Sequence, residues 1–148
     1  MRLIKGLPEE RLLDRIRKFN QVSGVSQRGL GFYLLDLDVR HLYRKKGFAS
    51  TAQFALMKLQ IDPKKTRELL RISRALEVLT LIDEAFAEGR ISWSAVREVT
   101  RVAVKETEAE WLALAEKGTL RKIEHAVSRA RRGSLPERWD GARGLPRW

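Results

Sequence analysis

Lys64, Arg67, Arg71 and Arg74 recur every three or four residues, the spacing that gathers side chains along one side of an α-helix. A row of cations is chemistry for phosphates, the footprint of a helix that binds nucleic acid. Lys65 stands beside the row, and Glu68 is the only acid between Lys64 and Arg74, whereas an ordinary solvated helix face mixes both signs. Leu69, Ile72 and Leu76 fall on the opposite arc, which must face a core. The pattern returns near the end of the chain. Leu120, Ile123, Val127 and Ala130 line one side of a second segment, and Arg121, Lys122, His125, Arg129 and Arg132 line the other. A third group, Arg40, Arg44, Lys45 and Lys46, crowds the end of a helical segment. There the helix macrodipole favours cations in any case, so this group divides evenly between a structural role and phosphate binding.

The residue sets that catalysis needs are missing from the pattern. His41 and His125 lie on different predicted helices, and neither has a carboxylate at the HExxH spacing of a zinc site. Gly24, Gly29 and Gly31 are not followed by the GK[ST] of a phosphate-binding loop. Asp36 and Asp38 point to different faces of a helix and do not make a metal pair. Glu106, Glu108 and Glu110 are acids of a first helical turn, which the helix dipole explains. The absence of cysteine removes disulfides, thiolate metal sites and thiol nucleophiles together. The expectation is a chain with no catalytic residue, no metal and no cofactor.

The charge supports an anionic partner. Thirty Lys and Arg against nineteen Asp and Glu give +11 over 148 residues, and the pI near 10.5 exceeds the value of about 9 that flags nucleic-acid binders. With 43% hydrophobic residues the chain can build a core. No apolar run approaches the roughly 20 residues of a membrane span, and the opening Met1-Arg2-Leu3-Ile4-Lys5-Gly6 does not read as a signal peptide. The cytoplasm is the simplest location.

The elements that would position these charges read as an all-α chain of seven or eight helices without a sheet. Pro8 opens a segment with Leu12, Leu13, Ile16 and Phe19 on one side. A second segment runs from about Val25 to Lys46, with His41 at helical spacing and Gly47 as its C-cap. Ser50 caps a short helix holding Phe54, Leu56 and Leu59, and Asp62-Pro63 opens the basic helix, which reaches about Val78. Thr80 to Glu88 follows, closed by Gly89. Ser92 caps a helix reaching Ala103, and Thr107 with Glu110 spells a capping box for a helix that Gly118 ends. The last helix runs from Thr119 to Gly133. Residues 1–133 read as one helical domain, and 134–148 as a flexible tail or the start of a linker. Trp93, Trp111, Phe32 and Phe86 interleave with core positions and read as packing; Trp139 and Trp148 lie in the tail.

Ser50 to Leu76 has the outline of a helix-turn-helix: a short helix, the turn Gln60-Ile61-Asp62, then the basic helix. Ile61, Thr66 and Leu69 occupy the inward positions of that motif. Its second helix lies in the major groove with its N-terminal residues at base edges. Lys64, Lys65 and Arg67 would then read bases while Arg71 and Arg74 hold phosphates. Two positions depart: the motif's turn glycine is Gln60, and its small residue four positions earlier is Leu56.

Several blocks in order carry a resemblance: Asp38-Val-Arg-His-Leu-Tyr-Arg-Lys-Lys-Gly-Phe-Ala-Ser-Thr, Ile61-Asp-Pro-Lys-Lys-Thr-Arg-Glu-Leu-Leu-Arg-Ile-Ser-Arg-Ala-Leu, the run from Ala85 to Ala103, and Glu106-Thr-Glu-Ala-Glu-Trp. Over about residues 30 to 130 the chain resembles the helical N-terminal domain found ahead of HNH nuclease domains in many bacterial proteins. More loosely, its middle is similar to the helix-turn-helix of ParB-type partitioning proteins. The resemblance implies an association with DNA and a relationship to nucleases; the HNH histidines, asparagine and metal ligands would lie beyond residue 148, so it brings no catalytic residue to this chain.

The reading that results is a helical module binding duplex DNA through Lys64, Lys65, Arg67, Arg71 and Arg74, with Arg121, Lys122, Arg129 and Arg132 as a second, mainly phosphate-directed surface. Two alternatives stay open. The chain could be the DNA-targeting part of an HNH endonuclease, or a protein-interaction domain whose basic faces meet an acidic partner. The oligomeric state is open too, a homodimer included.

Overall fold

Leu12, Leu13 and Ile16 form a buried stripe along the first helix, α1 (Glu9–Gln21). Against it packs α2 (Gln27–Val39), with Leu30, Tyr33, Leu34 and Leu37 buried. The computed structural model describes residues 2–21 and 27–137, with the backbone of 139–140 and 145–146. It divides into two compact units, Met1–Arg74 and Ala75–Trp148, with the boundary inside α5 (Pro63–Val78). Among the described residues there are nine α-helices, so the fold is all-α. A two-residue antiparallel pairing, Trp139 with Pro146 and Asp140 with Leu145, is added where the sequence carries no strand signal.

In the first unit, α1 and α5 come close to α2, and its glycines allow it. A Cβ at Gly29 would meet the Phe19 ring of α1 at 2.4 Å, and one at Gly31 would meet Ser73 Oγ of α5 at 2.3 Å. Gly29 and Gly31, which the phosphate-loop pattern does not explain, are therefore packing residues, and Gly24 lies outside the described residues. The N-terminal segment is strapped to the same helix: Tyr33 Oη accepts from Ile4 N–H at 3.3 Å, and Arg40 Nη1 donates to the Leu7 carbonyl at 2.6 Å.

The segment expected to run unbroken to Lys46 is broken. It ends at Val39, and after His41, which has φ 54°, a single turn α3 (Leu42–Lys45) begins. Histidine is among the residues that enter the left-handed region more readily than most. Here the break lets His41 N–H return to the Asp38 carbonyl at 3.0 Å. Gly47, at φ 86°, closes α3, with Phe48 N–H reaching back to the Tyr43 carbonyl at 3.0 Å. Then come α4 (Thr51–Leu59) and α5.

The second unit contains α6 (Thr80–Ala87), α7 (Trp93–Val99), α8 (Glu108–Lys117) and α9 (Leu120–Ser128). Ile82, Val96, Val99, Trp111, Ile123 and Ala126 form its centre, where α7 packs on α8 and α9, and α8 on α6. Ser92 and Thr119 cap α7 and α9 through their side chains, as their positions predict. Two boundaries and one cap differ from expectation. Helix α7 stops at Val99, and Ala103 is buried in the following loop. Thr107 turns its hydroxyl back to the backbone of Val104 instead of forming a capping box. Helix α9 stops at Ser128, because the N–H groups of Arg129 and Ala130 tighten to carbonyls three residues back. Gly118 ends α8 in extended backbone, and is needed because a Cβ there would sit 2.8 Å from the Leu114 carbonyl.

The helix dipole alone explains Glu108 as an acid of a first turn, yet the side chain is buried, 2% exposed. Its Oε2 accepts from Ile82 N–H at 2.9 Å and so caps α6, whose own N-cap, Leu79, has no side-chain acceptor. Trp111, fully buried, donates its indole N–H to the Ser134 carbonyl at 2.9 Å and fastens the first residue of the expected tail.

Two substitutions test this packing by urea unfolding. Glu108→Ala strands a buried N–H and should lower stability by about 1–3 kcal/mol, more than Glu108→Gln, which keeps an acceptor. Gly31→Val forces α2 away from Ser73 and should cost about 1–3 kcal/mol. A loss under about 0.5 kcal/mol in either, the ordinary surface effect, would contradict the packing described.

Candidate nucleic-acid interface

Ser50 N-caps α4: its hydroxyl accepts from Gln53 N–H at 3.0 Å, while Gln53 Oε1 accepts from Ala49 N–H at 2.7 Å. The helix ends at Gln60, which has φ 55° and ψ 36°, the conformation a turn glycine would take. Ile61 N–H then reaches back to the Ala55 carbonyl at 3.1 Å, and the Ile61 side chain is buried. Asp62 Oδ1 accepts from Lys64 N–H at 2.7 Å, capping α5 with Pro63 at its first position. Thr66, Leu69 and Ile72 turn inward, and Lys64, Lys65 and Arg67 turn outward. Asn20 of α1 donates to the Leu59 carbonyl at 3.0 Å, holding the end of α4 in place.

The motif's small buried residue is displaced by one position from the sequence alignment. Leu56 is 44% exposed, and Ala55 is the small residue that is fully buried. The left-handed turn thus follows the motif at Gln60, while the register of the first helix does not.

The five cations assigned to this face do not share one environment. Among the described residues no carboxylate pairs with Lys64, Lys65 or Arg67, and all three are exposed. Arg71 is half-buried with an interaction of its own. Arg74 is paired with Asp38 Oδ2. The other oxygen of Asp38 accepts from Thr51 Oγ1 at 2.6 Å, so one carboxylate joins the end of α2 to the start of α4 and to α5. Asp38 is the residue that sequence reasoning missed. Its partners lie 13 and 36 positions away, and no local pattern announces them. Asp36, by contrast, accepts from Arg40 at 3.3 Å and from Gly6 N–H at 3.3 Å.

In the second unit, Arg121 and Lys122 lie on the first turn of α9 and are exposed; Lys122 has an interaction of its own. Arg129 is the C-cap, and Arg132 lies in the turn beyond, so these two do not belong to a helix face. Both are exposed, and no carboxylate among the described residues pairs with them. His41 Nδ1 lies 3.1 Å from Tyr43 Oη. Among the described residues no group of three or more His, Asp or Glu could hold a metal ion, and no helix is long and apolar enough to cross a membrane. Comparison with family models, with curated proteins and with solved structures returns no match.

The turn can be tested directly. Gln60→Gly should keep or raise stability, by up to about 1 kcal/mol, because glycine enters the left-handed region without a Cβ clash. Gln60→Val should lower it by about 1–2 kcal/mol, since a β-branched residue there is strained. Equal stabilities of the two variants in urea would contradict a left-handed Gln60.

Proposed function

We propose that this chain is a DNA-binding module, with the first two turns of α5 directed into the major groove of duplex DNA. The supporting observation is that Lys64, Lys65 and Arg67 stand exposed and unpaired by any described acid at the start of a helix introduced by a left-handed turn. In a recognition helix these are the positions that reach base edges. Arg71 then lies toward the backbone. Arg121, Lys122, Arg129 and Arg132 form a separate phosphate-directed surface on the second unit. The resemblance to helical domains that precede HNH nucleases supports the same assignment, a targeting role without chemistry of its own, in the cytoplasm.

Neutralising Z phosphates releases counterions with a slope near −0.9Z in a plot of log affinity against log salt. Binding to random duplex DNA, followed by fluorescence anisotropy, should weaken at least about tenfold between roughly 50 and 200 mM salt. A flat response would remove DNA as the main partner and favour an acidic protein. Lys64→Ala or Arg67→Ala should weaken a selected sequence by about 1–3 kcal/mol and random DNA less. Arg129→Ala or Arg132→Ala should weaken all sequences alike and reduce the slope by about one. Uniform losses from all four would make the module a reader of charge and shape rather than of sequence.

A further inference from the structure

The contact between Thr51 Oγ1 and Asp38 Oδ1 closes a loop that contains α3, and Arg74 on the other oxygen of Asp38 fixes the base of that loop to α5. Inside it the backbone is tied down further. His41 N–H bonds to the Asp38 carbonyl at 3.0 Å, Arg44 N–H to the His41 carbonyl at 3.1 Å, and the Phe48 ring packs edge-on to Phe54 of α4, with centroids 5.5 Å apart. The loop presents Arg44, Lys45 and Lys46, all exposed. Lys46 pairs with Glu9 at 3.1 Å. Arg44 and Lys45 have no carboxylate partner among the described residues, and the Arg44 guanidinium lies 5.9 Å from the centroid of the Tyr43 ring.

The macrodipole accounts poorly for these two cations. Helix α3 is one turn long, and the carbonyls of Tyr43 and Arg44 already accept N–H groups from Lys46, Gly47 and Phe48. Little uncompensated negative charge is left at that helix end for Arg44 and Lys45 to answer. The loop's base lies beside Arg74, which is ten positions after Lys64, or about 15 Å along the axis of α5.

We propose that Arg44 and Lys45 form a second contact to the same DNA, holding backbone phosphates at the edge of the groove that receives the start of α5, and that Asp38 is the positioning residue for this loop. The inference rests on the DNA reading given above. Through Asp38 and Arg74 the base of the loop is held to α5, so Arg44 and Lys45 are carried by the same unit as Lys64 and Lys65, and phosphate contacts there fix register without reading sequence.

The experiment is the salt dependence of binding to random duplex DNA by the full chain, for the wild type, Arg44→Ala/Lys45→Ala, Lys64→Ala/Arg67→Ala and Asp38→Asn. Both cations are exposed, so their removal should leave thermal unfolding unchanged. The Arg44→Ala/Lys45→Ala variant should lower the salt slope by about two and weaken every sequence equally. Asp38→Asn keeps an acceptor for Thr51 and removes a negative charge. If charge alone mattered it would tighten binding; a loosened loop makes binding weaker. An unchanged slope in Arg44→Ala/Lys45→Ala, with Lys64→Ala/Arg67→Ala still impaired, would overturn this inference and leave the DNA reading standing. Tighter binding by Asp38→Asn would overturn the positioning role. Absence of duplex binding by the wild type would overturn both.

Discussion

Asp38 uses both carboxylate oxygens inside its own unit, one on Thr51 and one on Arg74, and three helices meet through that side chain. In solvent an isolated ion pair such as Arg74 with Asp38 contributes only about 0–1 kcal/mol. Its importance here is geometric. Helix α4 is nine residues long and too short to be stable alone. Its start is held by Asp38 and the Ser50 cap, and its end by Asn20 and the left-handed Gln60. The orientation of the basic helix follows from these constraints as much as from its buried face. The second unit uses the same device in a drier setting, where the buried carboxylate of Glu108 supplies the cap that Leu79 cannot.

Features written into neighbouring residues were legible in the sequence. Serine and threonine caps, the apolar arcs and the Asp62-Pro63 start are local, and they place α4, α5, α7 and α9 correctly at their N-termini. Features that depend on distant partners were not. The break at His41 and the end of α9 at Ser128 are set by hydrogen bonds that compete with helix continuation, and a periodic pattern runs straight through both. The same holds for Glu108, whose partner is 26 positions away, and for Gly29 and Gly31, whose role appears only once Phe19 and Ser73 are packed against them.

For the candidate interface, the sequence identified the cations but could not sort them. A net charge of +11 treats every lysine and arginine alike. The structure separates Lys64, Lys65 and Arg67, which face solvent without a described acid, from Arg74, which is committed to Asp38, and Arg40, which is committed to Asp36 and Leu7. A cation already paired gains less from a phosphate, because it must give up a partner to take one. Pairing, rather than count, therefore directs the DNA reading to the start of α5, with Arg71 left in a lesser place.

The most direct test is a titration of the isotope-labelled chain with a short duplex, followed residue by residue by NMR. The account predicts that the largest amide shifts fall at residues 60–67, with smaller groups at 43–47 and 121–132, and that they fade as salt is raised. Shifts centred instead on the exposed Leu56 and Met57 side of α4, or none at low salt, would contradict it.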